Sequence, residues 1–193
     1  MMGRKLSLVV IALLLVSCGG YTLVNGGQEI KIGDVMASTP SKDWSKIKDG
    51  NVDVWTLDGP VLQQIIFVKG VKDGEYLIPI RKNGSAALDD DVPRFEKGMT
   101  SIEVVELFES TIKRMRAQKI EIKNVRPYKT NYTEGFRFEF SLLTENGLAK
   151  TGSSYAVLKD ERLFMAIYMG ANIHYYDKGK DDFEEIIRSL RVL

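Results

Sequence analysis

The sequence predicts an α+β domain in which a largely antiparallel sheet of about six strands is covered by two main helices. Three observations predict this class. Several short segments alternate apolar and polar residues, which is typical of strands with one buried face. Tight turns join neighbouring segments and favour antiparallel pairing. In two further segments, apolar residues recur every three or four positions, which predicts two amphipathic helices.

The first strand pair is predicted on either side of the turn at residues 58–60, which reads Asp-Gly-Pro. Residues 52–56 alternate in polarity, and residues 62–68 are apolar and rich in β-branched side chains. This arrangement predicts a β-hairpin. Residues 76–80 can add a third strand, and residues 81–98 are predicted to form a long loop.

The clearest helix is predicted to begin at Thr100. Thr100 and Glu103 have the spacing of a capping box, in which each side chain bonds the other residue's backbone N–H. The predicted buried face then repeats at helical spacing through Val104, Val105, Phe108, Ile112 and Met115.

The second half of the domain is predicted to contain the remaining strands and the second helix. The strand candidates are residues 120–125, 136–143, 148–158 and 163–168, and their short connections predict an antiparallel meander. The second helix is predicted from Asp181 to about Leu190, because its apolar residues again recur at helical spacing.

The N-terminus carries the pattern of a secretory signal. Arg4 and Lys5 form a positive start, and the apolar run over residues 6–16 is interrupted only by Ser7. A run of this length is typical of a signal peptide and is shorter than the roughly 20 residues that a membrane-spanning helix needs. The sequence therefore predicts a signal peptide over residues 1–17, with a membrane span as the minor alternative.

Cys18 is the only cysteine, and it ends the string Leu15-Val16-Ser17-Cys18. This string resembles the lipobox of bacterial lipoproteins. The resemblance implies cleavage before Cys18 and attachment of acyl chains such as palmitate, of which two or more anchor a protein stably. In such lipoproteins an aspartate directly after the cysteine favours retention in the inner membrane. Here that position is Gly19, so the resemblance also implies the outer membrane of the cell envelope, with the domain facing the periplasm. The alternative is a buried and inert cysteine.

The mature chain is predicted to form one lipid-anchored domain. Residues 18–27 contain four glycines and are predicted to form a short tether with room for one strand. Residues 28–193 are predicted to form a single globular α+β domain, since this length suffices for one hydrophobic core.

Composition excludes several classes of function. The 27 basic and 26 acidic residues give a net charge of +1, which argues against nucleic-acid binding. One histidine, with Cys18 assigned to lipid, leaves too few nitrogen and sulfur ligands for a zinc site, and no cofactor motif is found. The aspartates at 89–91 lack the spacing of a calcium-binding EF-hand, and we interpret them as a solvated loop. We therefore expect no metal and no cofactor.

The strongest candidates for partner binding are aromatic. Trp44, Trp55, Tyr175 and Tyr176 could together line a groove for a protein or a glycan, because aromatic side chains supply large contact areas. The alternative is that Trp55 packs inside the predicted hairpin.

His174 is the only imidazole base in the chain, and Asp177 is a nearby carboxylate. Ser153 and Ser154 lie in no G-x-S-x-G motif. We therefore expect no catalytic residue and interpret His174 as a polar residue at a strand end, with general-base catalysis as the alternative.

Three segments carry a further resemblance: residues 54–60 (VWTLDGP), residues 95–99, and residues 174–176 (HYY) before the last helix. They resemble uncharacterised proteobacterial envelope proteins. The order of strands and helices over residues 44–193 is similar to the PsbP-like fold, named for an extrinsic subunit of photosystem II. The resemblance implies an α/β/α sandwich and an accessory role without catalysis, although a fold alone does not determine an activity.

These observations predict a membrane-anchored envelope lipoprotein whose non-catalytic periplasmic domain binds an envelope protein or a cell-wall component. One alternative is an envelope hydrolase that uses His174. The other is a surface-exposed lipoprotein that binds a ligand.

Overall fold

A computed structural model of the chain describes residues 20–49, 52–78 and 92–193. Within these ranges the chain forms eleven strands and two helices. The strands are β1 (Thr22–Val24), β2 (Ile30–Ile32), β3 (Met36–Ser38), β4 (Trp44–Asp49), β5 (Val52–Thr56), β6 (Gln63–Val71), β7 (Lys119–Lys129), β8 (Glu134–Leu143), β9 (Ala149–Lys159), β10 (Arg162–Ala171) and β11 (Arg191–Val192), and the helices are α1 (Ser101–Arg114) and α2 (Tyr175–Ser189).

Eight strands form one antiparallel sheet in the order β1-β4-β5-β6-β10-β9-β8-β7. The predicted hairpin is confirmed, because β5 pairs with β6 and places Val54 opposite Ile66. The predicted meander is β7 to β10, and it joins the hairpin where β10 pairs with β6. A second antiparallel sheet has the order β11-β3-β2.

The prediction of about six strands covered by two helices is therefore wrong. The large sheet has eight strands. One of its faces is covered by α2 together with the three-stranded sheet, since Ile32 of β2 and Met36 of β3 pack in the same core cluster as α2. Strands β2, β3 and β11 have only two or three residues, too few positions for a clear alternating pattern. The six-residue strand β4 also has no predicted counterpart, whereas β1 lies within residues 18–27, where room for one strand is predicted.

The two helices pack against opposite faces of the large sheet. On one face, the ring of Phe108 in α1 lies 5.0 Å from the ring of Phe138 in β8. On the other face, Phe183 in α2 stacks on Tyr168 in β10 at 5.4 Å. Because both faces are covered at the centre, every residue of β10 after Arg162 is buried. This burial on both faces is the main source of hydrophobic stabilisation.

The start of α1 is as predicted, and the start of α2 is not. The capping box of α1 is confirmed, since Thr100 Oγ1 accepts from the Glu103 N–H and Glu103 Oε2 accepts from the Thr100 N–H at 2.7 Å. These hydrogen bonds from Thr100 hold the pKa of Glu103 below its usual value. Helix α2 begins at Tyr175, six residues before the predicted Asp181.

The outermost strand on one side of the large sheet is β7, which pairs with β8. Its register shifts between Lys123 and Arg126, where Asn124 adopts a left-handed φ of 53°. Pro127, which has no N–H to donate, follows directly. At the opposite side, β1 is a strand of only three residues.

Several predicted features lie outside the described residues: the signal peptide, Cys18, Gly19 and the aspartates at 89–91. The predicted strand 76–80 is represented only by an isolated bridge between Tyr76 and Arg94, with residues 79 and 80 also outside. In the described part of the chain, neither helix has the length and apolar character needed to cross a membrane.

Candidate functional site

The two tryptophans lie in the core and offer no surface to a partner, being 1% and 0% exposed for Trp44 and Trp55. Trp44 Nε1 donates to the Asp182 carboxylate of α2 at 2.5 Å, and the same carboxylate accepts from the N–H and hydroxyl of Ser41. Trp55 meets Phe67 edge to face at 4.7 Å. Both tryptophans therefore stabilise the fold.

Tyr175 and Tyr176 open α2 and are half-buried. The Tyr176 ring stacks on Tyr168 at 5.5 Å, and burial raises the pKa of Tyr176. Tyr168 Oη donates to the carbonyls of both residues. With the tryptophans buried, the four aromatic side chains do not line a common surface groove.

His174 and Asp177 are both exposed, and the imidazole forms no hydrogen bond with a described residue. Ser153 and Ser154 are buried in β9, where Ser153 Oγ accepts from Arg137. The structure thus shows no nucleophile and base in contact around His174. Among the described residues, no group of His, Cys, Asp and Glu side chains is placed to hold a metal ion.

A lysine that no sequence motif singled out lies inside the domain. Lys150 is the second residue of β9, opposite Leu142 in β8 and Ala171 in β10. The residue is only 7% exposed. Its ammonium group forms no hydrogen bond or ion pair with any described residue, which is rare for a lysine so largely buried, and the nitrogen itself keeps a small contact with solvent.

Lys150 lines a cavity of about 160 Å³ between the sheet and the C-terminal end of α1. The wall is mainly apolar and includes Ile66, Ile112, Leu142 and Met169. Its polar members are Gln64, Thr144, Glu145 and Lys150. The prediction of Met115 on the buried face of α1 is wrong: Met115 is 46% exposed, follows the last residue of α1 and lines the cavity.

The electrostatics of the cavity are unbalanced. Burial lowers the pKa of Lys150, and no acidic side chain opposes this effect. Glu145, the one acid in the wall, is largely exposed and pairs with Arg116 at 3.2 Å. A buried cation without a partner destabilises a fold. The cavity is therefore suited to an anion that would complete the pair.

Arg137 shows how this fold compensates another buried cation. Its guanidinium binds Glu184 through two hydrogen bonds of 2.7 and 2.5 Å and donates to Ser153 at 2.9 Å. It also lies 4.8 Å above the Tyr128 ring. Although burial alone would lower it, the hydrogen bonds and charge of Glu184 raise the pKa of Arg137. Arg137 is thus paired within the fold, and Lys150 is not.

A second groove, of about 420 Å³, lies between the start of α1 and strands β7 and β8. Three of its lining residues, Ile102, Val125 and Leu158, are apolar and exposed. It contains no buried unpaired ionisable side chain. The Lys150 cavity is therefore the better candidate for a ligand site.

Comparisons with known proteins agree with the architecture. No family model and no curated protein matches the sequence. The structure is similar to the solution structure of cyanobacterial PsbP (CyanoP) from Synechocystis sp. PCC 6803, with a TM-score of 0.54 and 12% identity over 92% of this chain and 95% of that chain. At this identity the similarity shows the fold alone, and it confirms that the chain has a PsbP-like fold.

Lys150 is not predictable as a site residue because β9 is buried on both faces. Gly152 and Ala156 share one face with Lys150, and Tyr155 and Val157 share the other. Alternation therefore does not indicate which face meets water. The available signal was a lysine two residues from Gly152, inside a predicted strand.

Proposed function

We propose that the chain is a lipid-anchored protein of the bacterial cell envelope whose periplasmic domain binds a ligand and has no catalytic role. The observation that carries the binding role is the unpaired Lys150 ammonium in a largely apolar cavity. Such a group destabilises the empty domain, and binding pockets are typically apolar with few polar groups. The exposed His174, which contacts the Tyr175 ring and forms no hydrogen bond with a described residue, favours binding over hydrolysis.

The anchor is supported by the signal-like residues 1–17 and the lipobox-like string that ends in Cys18. Strand β1 begins at Thr22, four residues later. Since an extended residue spans at most about 3.6 Å, β1 would start within about 14 Å of the acylated cysteine. The domain would thus be held close to the bilayer, and Gly19 favours the outer membrane.

The anchor is tested by expressing the full chain in a bacterial host with labelled palmitate. We expect label in the membrane fraction for the natural chain and none for the Cys18→Ala variant. An unlabelled natural chain with its N-terminal segment intact would overturn the lipoprotein assignment. Protease added to intact and to permeabilised cells then separates a periplasmic domain from one exposed on the cell surface.

The non-catalytic role is tested with the purified full chain on a panel of ester, peptide and glycan substrates. We expect no turnover. Turnover that disappears in the His174→Ala variant would replace the binding role by the hydrolase alternative. The exposed side chain of His174 makes this variant suitable, because surface substitutions seldom change stability by more than about 0.5 kcal/mol.

A further inference from the structure

We propose that the Lys150 cavity binds a small monocarboxylate with a compact apolar body, of the size of benzoate. This inference rests on the proposed binding role and names the chemistry of its ligand. It combines three properties of the cavity: its volume, its single unpaired cation and the hydrogen-bond donors of Gln64 and Thr144 in its wall.

The volume sets the size of the apolar body. The cavity measures about 160 Å³, and an engineered apolar cavity of about 150 Å³ in another protein binds benzene. A six-membered ring or a short branched chain therefore fits between Ile66, Ile112 and Met169. Long acyl chains exceed this space.

The charge sets the head group. One buried cation balances one negative charge, so a monoanion completes the pair, whereas a dianion would leave a buried charge uncompensated. The titratable groups that face this end of the cavity are Lys150 and Glu145, and Glu145 is already paired with Arg116. A cationic ligand would meet the ammonium of Lys150 without a free acid to offset it.

Two further polar side chains of the cavity wall have hydrogen-bond donors to offer a carboxylate. Gln64 Nε2 donates only to the Met169 sulfur, at 3.7 Å, and a thioether is a weak acceptor. Thr144 Oγ1 accepts from the Leu148 N–H at 3.0 Å, so its own proton is free for a ligand. The cavity thus offers one cation and two neutral donors to a carboxylate.

The test compares four probes of similar shape: benzoate, benzyl alcohol, toluene and benzylamine. Binding to the purified full chain is measured by calorimetry or by NMR shifts of the residues that line the cavity. We expect benzoate to bind about 10 to 100 times more tightly than benzyl alcohol, which is the range of a charge-assisted hydrogen bond, and benzylamine not to bind.

The variants assign this preference to Lys150. Lys150→Met should lose the preference for benzoate and still bind toluene. The matched control is Lys119→Met, which removes an exposed lysine of β7 and should behave as the natural chain does. If Lys150→Met fails to fold, Gln64→Met serves instead, and we expect it to weaken benzoate several-fold without changing toluene.

The outcomes separate the two proposals. Toluene binding without a preference for benzoate overturns the carboxylate assignment and leaves the cavity as a binding site. A benzoate preference that persists in Lys150→Met also overturns the assignment. Failure of every probe to bind overturns both the ligand class and the cavity as the site, whereas the lipid anchor is decided independently by the palmitate label.

Discussion

Replacing Lys150 by methionine should stabilise the empty protein. Methionine is unbranched and of similar length, so it can fill the same space without the ammonium group. Because Lys150 is 7% exposed and has no partner among the described residues, the variant removes the desolvation cost of a largely buried ammonium group, about 1 to 3 kcal/mol. For a domain of this size, this gain corresponds to a rise in Tm of roughly 2 to 12 °C.

The same substitution should change how stability depends on pH. The pKa of Lys150 is lowered in the folded state from its ordinary value of 10.5. Between the lowered pKa and 10.5, the unfolded chain binds more protons than the folded chain, so the free energy of unfolding of the natural protein rises with pH in this window. Below the lowered pKa the full destabilisation is present. Lys150→Met removes this contribution, and its advantage should therefore shrink as the pH increases.

The assay is urea unfolding of the natural chain, Lys150→Met and Lys119→Met at pH 7 and near pH 10. We expect Lys119→Met to stay within about 0.5 kcal/mol of the natural chain. A Lys150→Met variant that is less stable than the natural chain at pH 7 would refute the reasoning, because it would show that the folded protein stabilises the charged lysine. An unchanged advantage at both pH values would refute the lowered pKa.

Two other substitutions probe the packing around the site and the helix α2. Gly152→Ala would place a Cβ atom 2.1 Å from Cζ of the buried Phe140 ring, which is 1% exposed. We expect the free energy of unfolding in urea to fall by about 1 to 3 kcal/mol. Adding Phe140→Leu to the same chain should recover part of this loss. Asp182→Ala leaves the Ser41 N–H and the Trp44 indole N–H without their acceptor, and we expect the free energy of unfolding to fall by about 3 kcal/mol. The loss should be smaller in a chain that already carries Trp44→Phe. Equal losses in both backgrounds would contradict the role of Asp182.

The features that were predictable from sequence are those that short-range chemistry determines. The capping box needs only Thr100 and Glu103, three residues apart, and the hairpin needs only the turn at 58–60 between two apolar segments. In both cases the interacting groups are close along the chain. The resemblance to the PsbP-like fold succeeded for a related reason, because it depends on the order of such elements.

The start of α2 was not predictable because a tertiary contact overrides a local preference. Gly179 disfavours a helix, and the predicted start, Asp181, lies after it. In the structure a Cβ atom at Gly179 would lie 2.7 Å from Tyr168 Oη. The glycine therefore allows the first turns of α2 to approach β10, and the helix continues through it.

The roles of the tryptophans were not predictable because their partners are distant in sequence. The acceptor for Trp44 is Asp182, 138 positions away. An indole group and a carboxylate at such a separation have no local pattern that joins them. The same holds for Lys150, whose cavity combines Gln64, Ile112 and Met169 from three separate elements.

The bulged outer strand β7 has a consequence for crowding on a surface. Under the proposed anchoring, neighbouring copies would be confined to the membrane plane at the same distance from the bilayer. Their sheet edges would therefore meet at a high effective concentration. A long regular edge could then recruit a copy of itself and begin a two-dimensional fibre. The left-handed Asn124, Pro127 and the flanking charges of Lys119 and Lys123 interrupt the row of free backbone groups on β7. Under the proposed anchoring, this strand would thus keep neighbouring copies of the domain dispersed.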